Sequence, residues 1–125
     1  MPRGLDHIVH AVRDLDAAAE LDRSLGFTVS ARNTHPGAWG TQNHIIQLPE
    51  TFIELLAVTA SDGIAPHGPR SFSFGAFNRD FLPQGQGLSM LVLKGSGEKD
   101  AEDFRNAGIG DYELYDFERE AKRPD

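Results

Sequence analysis

The chain has no cysteine. That excludes disulfides and thiolate sites, so any metal would have to be held by His, Asp, Glu or water. Positive charge is also scarce: 12 Lys and Arg stand against 19 Asp and Glu, for a net charge of -7. Arg70, Arg79 and Lys94 are scattered, and Arg119, Lys122 and Arg123 are offset by Glu118 and Glu120. Without a basic cluster there is nothing to displace counterions from nucleic acid or an anionic membrane, so neither is an expected partner. No apolar run approaches the roughly 20 residues of a membrane span. Met1-Pro2-Arg3-Gly4 does not read as a signal peptide, and a cytoplasmic location is the expectation. Nucleotide loops are missing too, since Gly85-Gln86-Gly87 leads into a strand rather than a helix. Ser71, Ser73 and Ser89 stand in no nucleophile motif.

What is present fits one soluble domain: 125 residues, 39% hydrophobic and 25% charged. Residues 5–12, LDHIVHAV, alternate as a strand, with Leu5, His7, Val9 and Ala11 on one face and Asp6, Ile8, His10 and Val12 on the other. Asp14 is placed to cap a helix over 15–25, in which Ala18, Leu21 and Leu25 form a stripe expected to be buried. Gly26 suits the position just past its end. Strands are expected at 27–31, 43–48 and 51–59, the last two joined by Pro49-Glu50. Residues 61–86 read as a connector holding a short helix, whose Phe74, Phe77 and Phe81 are expected in the core. A strand at 88–94 and a helix opening at Ser96 or Gly97 and closing at Gly108 follow, and then one strand between Tyr112 and Arg123.

Asp14 to Gly26 and Ser96 to Gly108 have the same spacing, at an offset of 82, so one supersecondary unit starts twice. The organisation expected is a first module over 1–60, the connector over 61–86 and a shortened second module over 87–125, together one domain. The second copy lacks room for two strands. Either the chain is a fragment, or another subunit supplies the missing edge, and a homodimer with strand or module exchange is the expectation.

Glu54 is the most informative residue on chemistry alone. It sits in TFIELLAV with Phe52, Leu56 and Val58 on its own face. A carboxylate withdrawn from water without a partner costs on the order of several kcal/mol, so it should meet a cation, a metal or hydrogen-bond donors. His10 reads as structural, and His35 and His67, beside Pro or Gly in loops, as solvated. Arg32, Trp39, His44 and Gln47 are candidates to line a small-molecule cavity. Alternation cannot say which of Asn43 and His44 points inward.

The stretches "LDHIVHAVRDLDAAAELDRSLGFTVS" and "GTQNHIIQLPETFIELLAV" resemble the vicinal-oxygen-chelate superfamily, specifically its glyoxalase-like domains of the glyoxalase, bleomycin-resistance and extradiol dioxygenase type. The resemblance implies an α+β fold: a βαβββ unit and an incomplete second βαβ unit, with a mixed curved sheet around a cavity. It places one metal ligand at His7, seven residues before Asp14, and a second at Glu54. The position equivalent to His7 in the second unit is Ser89, or Met90 with a one-residue slip, and neither suits a borderline divalent ion. Asp22 also departs from the aromatic that relatives often carry there.

The function implied is divalent-metal-assisted chemistry (Zn, Ni, Fe or Mn) on a small substrate with vicinal oxygens, by a lyase, isomerase or dioxygenase. Glu54 would be the catalytic base where no metal binds. The competing expectations are a non-catalytic protein that sequesters a small molecule, and a half-module whose role is assembly.

Overall fold

A computed structural model describes residues 3–110. The expected strand between Tyr112 and Arg123 lies outside the described residues. Among them, β1 (Leu5–Ala11), α1 (Leu15–Ser24), β2 (Asn33–Thr34), β3 (Thr41–Gln47) and β4 (Phe52–Val58) form the first unit. A connector then carries α2 (Phe74–Phe81), and β5 (Gly87–Leu93) and α3 (Gly97–Asn106) open the second. The five strands form one mixed sheet in the order β2-β3-β4-β1-β5. β1 runs parallel to β4 and antiparallel to β5.

The repeat read from helix spacing extends to the strands. β1 and β5 are both seven residues long and start 82 residues apart, as do α1 and α3. Each helix is followed by a glycine in the left-handed region, Gly26 (φ 102) and Gly108 (φ 73), where an L side chain would be strained.

Two layers cover the sheet. On one face Val12, Leu15, Ala19, Ile46, Leu55 and Ala57 form a core under α1. On the other, Val9, Leu56 and Phe74 pack together, flanked by Trp39, Phe72 and Met90. Leu55 and Leu56 are each fully buried, so adjacent residues of β4 serve opposite layers. Burial of such a side chain contributes roughly 1.5–3 kcal/mol.

Three expectations are corrected. Residues 27–31 do not form a strand. Ser30 makes one backbone rung, donating to the Ile45 carbonyl, while its own hydroxyl accepts the Ile45 N–H. The side chain takes the place of the next ladder bond, and pairing resumes only at Asn33–Thr34. The buried stripe of α1 is Leu15 and Ala19; Leu21 and Leu25 are exposed. The run Ala17-Ala18-Ala19 leaves two apolar stripes open, and the sheet selects the one containing Leu15. Of the three phenylalanines only Phe74 is buried. Phe77 and Phe81 line a 230 Å³ pocket with His67, Asp80 and Gln84.

Candidate functional site

Glu54 lies at the centre of β4, level with Val9 on β1 and Ile45 on β3. Register places its side chain on the α2 side of the sheet, where it is 6% exposed. His7 occupies the same face of β1 opposite Phe52, and the two rings stack at 4.4 Å with 5° between planes. His7 Nε2 then stands 3.6 Å from Glu54 Oε1, and His7 Nδ1 is 2.7 Å from Asp6 Oδ1. The two residues that the resemblance singled out therefore converge. His10 lies on the opposite strand face, toward the α1 layer.

Behind Glu54 is a closed hydrogen-bond network. Asn43 Nδ2 donates to Glu54 Oε2 at 2.7 Å and also lies 3.1 Å from His35 Nε2. Asn43 Oδ1 accepts from Asn33 Nδ2 at 3.0 Å. With both amide protons of Asn43 used, His35 Nε2 is the acceptor and His35 Nδ1 donates to Thr41 Oγ1 at 2.6 Å. His35 Nε2 is 3.7 Å from Glu54 Oε2. Glu54 Oε1, outside this network, faces His7 Nε2 across a 3.6 Å gap.

His35 is buried rather than solvated, which corrects the expectation drawn from its neighbours Pro36 and Gly37. Its ring meets Trp39 at 5.1 Å and Phe74 at 5.9 Å, and Trp39 meets Phe74 at 5.3 Å. The loop reaches this wall because two glycines let backbone approach backbone. A Cβ on Gly75 would overlap the Trp39 carbonyl, and one on Gly40 (φ 64) would overlap the Ala60 carbonyl.

The other candidate residues are dispersed. Trp39 joins the aromatic wall beside His35. His44 points to the α1 layer, opposite Asn43; its Nδ1 meets the Ser30 carbonyl at 2.8 Å and its Nε2 is buried without a partner among the described residues. Arg32 is exposed and pairs with Asp16 of α1 and with Gln42. Gln47 is exposed and stitches the β3–β4 turn, donating to the carbonyls of Leu48 and Thr51. Sequence reasoning missed His35, Thr41 and Asp6, and left Asn43 undecided. A register argument from Glu54 across to β3 would have selected Asn43.

A metal fits this arrangement only in part. His7 Nε2 and Glu54 Oε1 are two suitable donors. His35 Nε2 is occupied by Asn43, and among the described residues no group of three or more His, Cys, Asp or Glu could hold an ion. A zinc-like ion takes four ligands, so the described residues supply half a site.

A family model described as a glyoxalase-like domain matches residues 5–125. The chain belongs to that family. The glyoxalase-like domain is similar in fold to a methylmalonyl-CoA epimerase solved with methylmalonyl-CoA and NH4+. That match has 22% identity and a TM-score of 0.61, over 86% of this chain and 72% of the other. The Mycobacterium tuberculosis methylmalonyl-CoA epimerase matches at 23% identity and a TM-score of 0.60, over 84% of this chain and 64% of its own. A protein of Bacillus halodurans C-125 gives 20% and 0.62, over 86% and 70%. No curated protein matches in sequence. The superfamily expectation and the mixed α+β architecture both hold.

Proposed function

We propose that this glyoxalase-like domain is an enzyme acting on a small substrate with vicinal oxygens, with Glu54 as its base. The observation that carries the reading is that Glu54 Oε1 and His7 Nε2 face each other across 3.6 Å; with the His7 proton on Nδ1, toward Asp6 Oδ1, both atoms are acceptors. Two acceptors do not bond each other. The gap calls for a group that brings protons or positive charge, such as a hydroxyl beside an acidic C–H, or a divalent ion.

A 2-hydroxycarbonyl compound supplies the first. Its hydroxyl donates to His7 Nε2, and Glu54 Oε1 takes the proton from the carbon bearing that hydroxyl. The C–H electron pair becomes the C=C bond of an enediolate, and the carbonyl π pair moves to oxygen. Return of the proton to the same carbon gives epimerisation; return to the former carbonyl carbon gives isomerisation, with His7 Nε2 taking the hydroxyl proton from the first oxygen and giving it to the second as the new carbonyl forms. The burial of Glu54, 6% exposed, would keep bulk water from competing for that proton. Two of the proteins of similar fold are methylmalonyl-CoA epimerases, which makes epimerisation the first outcome to test. A divalent ion held partly by His7 and Glu54 would require donors from outside residues 3–110.

The test is deuterium exchange from D2O into a panel of 2-hydroxycarbonyl compounds, 2-oxo acids and an α-methyl acyl thioester, with and without added Zn, Ni, Fe or Mn. The reading predicts exchange that Glu54→Gln lowers by about 10²-fold or more. Equal rates for the two proteins would refute it.

One observation favours a second reading, non-catalytic capture of a small molecule: Trp39, Phe74 and His35 form an aromatic wall beside the acceptors. Trp39 is the single tryptophan, so its fluorescence reports on that wall. A saturable quench by a ligand that undergoes no exchange would select capture.

A homodimer is the further expectation. Among the described residues β5 lies at the edge of the sheet, and Leu88, Leu91 and Leu93 are each more than half exposed. Light scattering at micromolar concentration should show twice the chain mass, and a monodisperse monomer would contradict it.

A further inference from the structure

We propose that Asp6 is a positioning residue that fixes the tautomer of His7, an inference that rests on reading His7 as the proton acceptor of the site. The sheet is irregular beside Asp6. Pairing between β1 and β5 steps from Leu5↔Leu93 to His7↔Val92, so β1 advances two residues while β5 advances one. Asp6 is the extra residue of this bulge. On a regular strand the side chains of residues 6 and 7 would leave opposite faces. A bulge re-aims the side chain at the irregularity, and Asp6 Oδ1 reaches His7 Nδ1 at 2.7 Å. Thr51 Oγ1, just before β4, donates to the Asp6 carbonyl at 2.9 Å and pins the bulge from that side.

A carboxylate only accepts, so the bond requires the proton of neutral His7 to sit on Nδ1. Nε2 then presents a lone pair to the gap. Stacking on Phe52 blocks rotation of the ring, so the tautomer and the aim of Nε2 are set together. Without Asp6 the ring is free to carry its proton on Nε2. Nε2–H would then bond Glu54 Oε1 and close the gap, removing both acceptors at once. The inference therefore makes Asp6 the residue that keeps Glu54 available.

The experiment is long-range 1H–15N NMR of the histidine rings in the full chain without ligand, at mildly alkaline pH, with His7→Gln identifying the His7 signals. The inference predicts the Nδ1–H tautomer in the wild type, a shift of the majority population to Nε2–H in Asp6→Ala, and retention of Nδ1–H in Asp6→Asn, whose amide oxygen still accepts. His35, held by Thr41 and Asn43, should keep its signals in both variants, which shows that the fold is intact. Deuterium exchange should fall about tenfold to a hundredfold in Asp6→Ala and recover part of that loss in Asp6→Asn. An Nε2–H tautomer in the wild type, or Nδ1–H persisting in Asp6→Ala, would overturn the inference. Because the tautomer is read without substrate, the predicted tautomers with no exchange on any substrate would uphold the role of Asp6 and refute the proposed reaction alone.

Discussion

β1 and β5 occupy equivalent places in the two units, yet β1 carries His7 where β5 carries Ser89. The His7 ring faces a carboxylate across a gap. The Ser89 hydroxyl instead donates to Asn78 Oδ1 of α2 at 2.7 Å, in a fully satisfied contact. β1 is paired on both edges, whereas β5 pairs only with β1 among the described residues. Their helices differ as well. Asp14 caps α1 by accepting from the Ala17 N–H, while Ser96 makes no side-chain cap. At α3 the Ser96 N–H donates to Asp100, which is also gripped by both terminal nitrogens of Arg3. The two units share strand length, helix length and the closing glycine, which backbone geometry demands. They do not share the side chains of the candidate site, because the roles of those side chains depend on what lies opposite them.

The sharpest way to break this contrast is to exchange the two positions' roles. His7→Ser should lower deuterium exchange by about 10²-fold, while Ser89→Ala should leave it within about twofold. Comparable losses in both would show that the second unit shares the chemistry.

Next in size is the support for the aromatic wall. Gly75→Ala forces the N-terminal turn of α2 off the Trp39 carbonyl and should cost about 3 kcal/mol. Urea denaturation measures it, and an unchanged midpoint would show that the wall is not held by this approach. A smaller effect separates the helix starts. Asp14→Ala should cost about 1 kcal/mol, whereas Ser96→Ala, which removes no cap, should cost little on the same denaturation curve.

The smallest effect concerns acid. The hydrogen bonds from Arg3 hold the Asp100 carboxyl below its usual range. A lowered folded value stabilises the protein at neutral pH. That contribution disappears as pH falls through the depressed value. Hydrogen exchange in the first turn of α3 should quicken at that point in the wild type and be already fast at neutral pH in Asp100→Asn.

Much of the fold was legible because it follows from local rules. The alternation of LDHIVHAV, the Asp14 cap and the paired glycines each specify an element without reference to the rest of the chain. Glu54 was legible for a related reason, since an acid among Phe52, Leu56 and Val58 demands a partner wherever it lies. The remainder depended on contacts between distant segments. Choosing Asn43 over His44 required the register of β3 against β4. His35 looked solvated beside Pro36 until Trp39 and Phe74 closed over it. Asp6 gained its role only through a bulge set by β5, some 80 residues away. Residues 27–31 had the composition of a strand, and one hydroxyl, that of Ser30, was enough to divert the ladder.

The account stands on His7 and Glu54 acting on one ligand at the same time. A double-mutant cycle on the deuterium exchange rate, using His7→Gln, Glu54→Gln and the pair, measures that directly. The double variant should be no slower than Glu54→Gln alone, because either loss already disables the shared gap. Losses that multiply, as for two independent sites, would contradict the account.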